Sequence, residues 1–336
     1  MPGVDVVFAC GPLAAFRTKH GVSRIGTSLF LANRQQTGDT VKHPDQQFPN
    51  IAASTSNERR HFLKILAALP LAMQLPAVAG EQLNAVTQRG QLRIAVYNNF
   101  PPYSDAGQGV DVDLGKAIAG KLGLKPEIIG FRAGEDMGDD LRNMVWKGHY
   151  LRGEPADVMM HVPLDKILAD ANNKVRIFGQ YHQESLAMAR DPFRVPAPPH
   201  GSAAVALEVF TREKIGVEGA TLADAFLLST LSGRLRENVV HFHSVAEAAK
   251  ALREGRVAAV LAPRGELEAA LPGEKRLVID EARIAQLTTG RWPLGMAVKA
   301  DAGDLAAAID RALAELKADG TVAAIFKRHG ITLHGA

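Results

Sequence analysis

The chain has 336 residues, enough for one large core or two ordinary ones; with 46% hydrophobic and 22% charged residues it has the balance of a globular protein, not of a disordered or fibrous one. The net charge of +3 sits at the start: residues 1–79 hold 8 Lys/Arg against 4 Asp/Glu, leaving 31 against 32, or −1, for the rest. A near-neutral body offers no footprint for nucleic acid, no apolar run reaches the roughly 20 residues that span a bilayer, and the single cysteine, Cys10, excludes an internal disulfide or a thiolate metal site.

Residues 1–52 lack sustained periodicity, are rich in Gly, Thr, Gln and Asn, and read as an unstructured or mis-assigned upstream extension. Residues 53–79 carry the parts of an export signal: the basic stretch Glu58-Arg59-Arg60-His61-Phe62-Leu63-Lys64, an apolar segment over 65–75, and the small-residue site Ala77-Val78-Ala79. The Arg59-Arg60 pair fits the twin-arginine variant of such a signal. The body is therefore expected to be exported to the periplasm.

After residue 90 strand and helix patterns alternate. An apolar strand over 92–97 runs through Asn98 into the turn Phe100-Pro101-Pro102-Tyr103-Ser104. Gly109-Val110-Asp111-Val112-Asp113-Leu114 then opens a helix, with Leu114, Ile118 and Leu122 at helical spacing and Gly123 as its stop. Asp111 and Asp113 stand where a helix start favours anionic side chains. Further strands are predicted over 127–131, 157–160, 185–189, 214–217, 257–261 and 294–298. Helices are predicted over 139–146, 222–231, 245–253 and 305–316, and a short one opens at Thr321. This alternation implies mostly parallel sheets covered by helices. The proline-rich stretch 190–201 reads as a crossover and Trp292-Pro293 as a return, which divides the body into lobe 1 (90–190 plus 294–336) and lobe 2 (191–293) joined by two strands.

The strand, the aromatic-Pro-Pro-aromatic-Ser turn, G-x-D-x-D-L and the helix resemble the opening of the family 3 extracytoplasmic solute-binding proteins, the receptors of polar amino-acid ABC importers. Val110 stands where a larger residue is usual. The resemblance runs over about 90–330. It implies a type II periplasmic binding protein-like α/β fold, a small molecule in the cleft, an ABC permease as partner, no cofactor and no catalysis.

The resemblance also implies a site, and this chain departs from it. Phe100 keeps the ligand-stacking aromatic, with Asn98 and Tyr103 in the same turn, Tyr103 supporting it from below. In relatives the strand matching 157–160 leads to hydroxyl-rich sequence and an arginine. Here His161-Val162-Pro163-Leu164 follows, with Lys166 the nearby cation beside Asp165. The ammonium-binding aspartate after a lobe 2 strand is replaced by Ala262-Pro263-Arg264-Gly265. Each lost charge-assisted contact is worth about 1.5–3 kcal/mol, so a standard amino acid is not the expected ligand. The expected ligand-binding set is Asn98, Phe100, Tyr103, His161, Thr221 and Arg264, suited to an anionic or planar organic group; Thr221 reads equally as a plain N-cap.

Other readings compete. The run ADVMMHVP over 156–163 resembles the binding-protein-like accessories of PQQ-dependent alcohol and methanol dehydrogenases, which makes a quinoprotein dehydrogenase the alternative partner. A periplasmic enzyme on the same fold, of dehydratase or lytic transglycosylase type, is the rival of a different class. Glu218 and Glu266 are its nearest acid candidates, and both also read as solvated loop residues. His149, Glu154, Asp157 and His161 lack metal-ligand spacing, and Glu135, Asp136, Asp139 and Asp140 read as a helix start, not a calcium loop. The stretch 147–155 exceeds the family's usual short turn and reads as a cleft-edge or partner-contacting loop.

Overall fold

The computed structural model describes residues 80–150 and 153–335; the extension and the signal over 1–79 lie outside the described residues. The first run comprises α1 (Glu81–Arg89), β1 (Gln91–Tyr97), α2 (Val110–Lys121), β2 (Lys125–Phe131), α3 (Met137–Leu141, continued by one π turn to Trp146), β3 (Val158–Pro163), α4 (Lys166–Ala171) and the long strand β4 (Val175–Arg190). Then come β5 (His200–Gly201), α5 (Ala203–Ala206), β6 (Ile215–Glu218), α6 (Leu222–Ser229), β7 (Val239–Phe242), α7 (Val245–Arg253), β8 (Ala259–Pro263), α8 (Arg264–Ala270), β9 (Val278–Glu281) and β10 (Arg283–Ile284). The chain returns through β11 (Arg291–Lys299) and ends in α9 (Gly303–Ala318) and α10 (Thr321–Arg328).

Local chemistry accounts for several of these elements. Gly109, at φ 126°, turns the chain into α2 where a Cβ would overlap the Tyr103 carbonyl, and the Asp111 N–H donates to that carbonyl at 2.9 Å. Ser244 caps α7 by accepting from the Glu247 N–H at 3.2 Å, while Glu247 accepts from His243 N–H. Val245, Ala248, Ala249 and Leu252 form the buried stripe of that helix.

Strand order is β2-β1-β3-β11-β4-β8-β6-β7, with β9 also on β4. β1, β2 and β3 are parallel, as are β6, β7 and β8; β4 and β11 are antiparallel to their neighbours. Between Val175 and Ser185, β4 pairs with β11; from Leu186 to Arg190 it pairs with β8 and, from Ala187, with β9. The ladder is thus continuous through β4, but the apolar packing is not. One core takes residues up to Tyr181 and resumes at Leu294. Beyond Ser185, Leu186 and Met188 enter a second core and Ala187 and Ala189 a third, on opposite faces of the strand, as the two-residue period requires. Trp292 packs against the first and second cores together.

The change of partner at Ser185/Leu186 precedes the proline-rich stretch read as the crossover. Within that stretch the Val195 carbonyl accepts from Arg190 Nη1, and Arg190 Nε donates to Asp280 of β9, both at 2.7 Å. β4 also starts ten residues before the strand expected at 185, while α1, α4, β7 and α8 fill segments left unassigned by pattern. No helix among the described residues is long and apolar enough to cross a membrane.

Candidate functional site

The carboxyl ends of the parallel strands of both halves deliver the candidate residues, the usual place for ligands in open α/β sheets. At the end of β1 the chain folds back on itself, Phe100 and Ser104 exchanging backbone hydrogen bonds of 2.8 Å. This hairpin-like turn presents Phe100 and Tyr103, with ring centroids 5.4 Å apart, and His161 from β3 packs edge-on against both at 4.8 and 4.4 Å. His161 has φ 61°, a left-handed conformation that is costly for a non-glycine residue inside a strand and is held here by its surroundings.

Those surroundings centre on Asp111. It accepts from the Tyr181 hydroxyl at 2.6 Å on one oxygen and lies 3.0 Å from His161 Nδ1 on the other. It is 1% exposed. Asp111 is therefore a buried orienting group, not only the anion at a helix start; with its donor on Nδ1, a neutral His161 keeps Nε2 as an acceptor. Asp113 turns outward to His329 Nε2 at 2.9 Å and Arg328 at 3.1 Å.

On the second side lies a group of carboxyls. Glu184 of β4 is 2% exposed, accepting from the Tyr103 hydroxyl on one oxygen and from the Ser185 N–H at 2.7 Å on the other. Burial raises its pKa; Tyr103, the Ser185 N–H, His161 and the Gly265 N–H pull it down. Burial, and then the adjacent Glu184 charge, holds the Tyr103 hydroxyl well above its ordinary range, so it stays protonated. Glu218, the last residue of β6, is 6% exposed; burial pushes it up to about 7 against the pull of the Val245 N–H, and its Oε1 has no hydrogen-bond partner. Glu266, in the first turn of α8, is raised well above the ordinary range by burial and then by Glu218 and Glu184. The reading of Glu218 and Glu266 as solvated loop residues is corrected: Glu218 ends a strand and is buried, and Glu266 lies in the first turn of a helix, where burial and then Glu218 disfavour its charge. Gly265 lies so near Tyr103 that a Cβ there would overlap the tyrosine hydroxyl and approach Glu184 Oε2 to 3.0 Å.

The structure thus brings Phe100, Tyr103 and His161 together but presents no open aromatic face, since Phe100 is 7% exposed and belongs to the first core. Asn98 is half-buried beside them, its N–H donating to the Phe131 carbonyl at 2.7 Å. Thr221 is engaged as a cap: its hydroxyl accepts from the Asp224 N–H at 3.2 Å and donates to the Glu218 carbonyl at 2.8 Å. Arg264 opens a helix where a loop was expected and donates to Glu268 at 2.7 Å, while the other Glu268 oxygen accepts from the Thr332 N–H. Asp111, Tyr181 and Glu184 were not anticipated. The one available signal for Glu184 was a carboxylate directly before the apolar run 185–189.

Two further groups differ from their sequence reading. Asp157 accepts from the Arg89 side chain and the Arg93 N–H. Asp140 is buried, accepts from the Tyr97 hydroxyl at 2.8 Å and the Gly134 N–H at 2.7 Å, and is pushed up to about 7 by burial. In the stretch 147–155, His149 and Tyr150 stack at 4.6 Å and Tyr150 is 88% exposed. A separate groove of 580 Å³ is lined by Glu281, Arg283, Leu287 and Arg291, and both of its arginines turn to Glu281.

Neither a protein-family model nor a curated relative matches the sequence. Solved structures do match in fold. An ancestral cationic amino acid solute-binding protein, AncCDT-1, superposes with TM-score 0.57 at 19% identity, over 74% of this chain and 99% of that one. A Streptococcus pneumoniae amino acid ABC transporter substrate-binding protein bound to L-arginine superposes with TM-score 0.52 at 17% identity, over 75% and 99%. A further AncCDT-1 structure, described as a precursor of cyclohexadienyl dehydratase, gives TM-score 0.50 at 19% identity, over 74% and 98%. At these identities the likeness establishes the fold: a periplasmic binding protein-like α/β architecture of two lobes.

Proposed function

We propose that this chain is a non-catalytic solute-binding protein that closes its lobes over a small polar molecule, does not take the standard amino acids, and presents its ligand to an ABC permease outside the cytoplasm. On this reading the lobes comprise 81–185 with 291–335, and 186–290. The observation that carries it is the loss of the expected carboxylate anchor: Arg264, the expected cation, is held by Glu268 at 2.7 Å, and burial, then Glu218 and Glu184, disfavour charge on Glu266 two residues further on. An α-carboxylate placed about 4 Å from one ionised glutamate meets a repulsion of about 4 kcal/mol at an effective dielectric constant near 20. The expected preference for an anionic group therefore gives way to neutral or cationic groups.

Calorimetric titration of the twenty standard amino acids tests the reading. None is expected to bind with Kd below about 10 µM, and sub-micromolar binding of any of them overturns it. Export is tested separately: the mature protein is expected to begin at Gly80, and recovery of Arg60 in mature protein overturns the signal. The accessory role beside a quinoprotein dehydrogenase draws less support, because every residue of Val158–Pro163, most of the run that carries that resemblance, is buried and offers a partner no surface. The enzyme reading draws on Glu218, whose value of about 7 suits a general acid. A ligand recovered unchanged after incubation supports binding; a dehydrated product supports the enzyme.

A further inference from the structure

We infer that the segment following α10, residues 331–335, is a strap that fastens α8 to the first lobe and must let go before the cleft opens. This rests on the division into lobes given above and is independent of what the protein binds. Residues 331–335 lie outside any helix or strand, yet they are anchored along their length. Just before them, His329 Nε2 lies 2.9 Å from Asp113 of α2. Ile331 is buried in the first core and Leu333 packs against it. The His334 carbonyl accepts from the Gln183 N–H at 2.9 Å, and the Gly335 carbonyl from the Gln180 side chain at 3.2 Å. A Cβ on Gly335 would come within 2.8 Å of Gln183 Cβ, so the segment lies directly against β4. Its seat is immediately before the point at which β4 changes partner.

Between these anchors the segment reaches the second lobe. The Thr332 N–H donates to Glu268 Oε2 of α8 at 2.7 Å, while Glu268 Oε1 accepts from Arg264 Nε at 2.7 Å. Ile331, directly before Thr332, belongs to the first core, and Leu267, directly before Glu268, to the third. This one hydrogen bond therefore joins residues packed in different lobes. The Glu268 side chain is only 12% exposed, so an N–H bonded to its charge is held more strongly than in open water. One turn earlier on α8, Gly265 stands against the Tyr103 hydroxyl. The first lobe thus holds α8 at two points, the turn carrying Tyr103 and the strap, and loss of either shifts the population toward open lobes. The fastening is also releasable. His334 Nε2 is buried without a hydrogen-bond partner, a cost that disappears when the segment leaves its seat for water. Because residues 331–335 lie beyond α10, no helix or strand has to unfold for that release.

The test compares the full chain with three variants and uses no ligand. Thr332→Pro deletes only the N–H donor, Glu268→Ala removes its acceptor on the other lobe, and a chain ended after Ile331 loses the strap but keeps its core anchor. All three are expected to have a larger radius of gyration by small-angle scattering. In a Trp146→Phe background they are expected to show red-shifted emission from Trp292, which packs against the first and second cores together. The shortened chain is also expected to exchange its Gln183 N–H at least about tenfold faster. Faster exchange there with an unchanged radius and emission overturns the inference, because the segment then lies on β4 without fastening the lobes. A larger radius in Glu268→Ala alone overturns it too, since the effect then belongs to the freed Arg264. If the shortened chain does not fold, Thr332→Pro and Glu268→Ala decide together. Failure of the solute reading leaves these outcomes as they stand, because no solute enters them.

Discussion

Glu218→Gln probes stability independently of any ligand. In the folded protein the Glu218 carboxyl titrates at about 7, against 4.5 ordinarily, because burial disfavours its charge. Below pH 4.5 the group is protonated in both folded and unfolded chains and costs nothing. Between 4.5 and 7 the unfolded chain ionises first, so folding stability falls as pH rises, and above 7 the loss is complete. At about 1.4 kcal/mol per tenfold change in the proton equilibrium, that gap amounts to about 3 kcal/mol. Glutamine has no proton to lose. Its amide brings a donor and an acceptor into a buried place and costs about 1 kcal/mol, the same at every pH. Urea unfolding of wild type and E218Q at pH 4.5, 6 and 8 is therefore expected to show the variant slightly weaker at pH 4.5 and about 2 kcal/mol stronger at pH 8. Asp140, also raised to about 7, is present in both proteins and cancels in the difference. Two pH profiles that run parallel within about 0.5 kcal/mol would refute the desolvation argument.

Gly265→Ala puts a methyl group where the Tyr103 hydroxyl lies, so the contact between the first lobe and α8 must part; a loss of about 1–3 kcal/mol and a larger radius of gyration by small-angle scattering are expected, and an unchanged radius and melting temperature would show that the contact does not hold the cleft. His182 is buried against Phe326, and burial lowers it from 6.5 to about 3, with His161 and His334 adding to the effect. The unfolded chain thus takes the proton first as pH falls through 6.5, and stability is lost progressively toward pH 3. His182→Gln is expected to flatten that acid limb in a thermal melt series, and an equally steep limb would assign it to other groups.

Much of the architecture is readable from local pattern. The apolar runs at 92–97 and 294–298 are strands because such segments bury on both sheet faces, the run at 127–131 is a half-buried strand at the end of the order, and the Gly109 turn with the 114, 118, 122 spacing makes α2. The pattern fails where an element's environment changes along its length. β4 carries Gly179, His182 and Glu184 within one strand, so alternation is lost until the apolar stretch after Ser185. β7 has only four residues, too few for a period to show.

The order and type of most elements, the lack of an arginine after β3 and of an aspartate after β8, and the family of folds to compare are all legible in the amino-acid order. Which polar groups are buried, and what they touch, depends on the folded arrangement. Tyr103 meets Glu184 across 81 residues, Tyr181 meets Asp111 across 70, and His161 meets Asp111 across 50. Nothing in the four residues of Ile215–Glu218 distinguishes a solvated glutamate at a strand end from a desolvated one. The difference lies in its surroundings: Glu218 is buried at the end of β6 with the Val245 N–H of α7 as a partner, and the free energy of a charge depends on that surrounding medium more than on its neighbours in the chain.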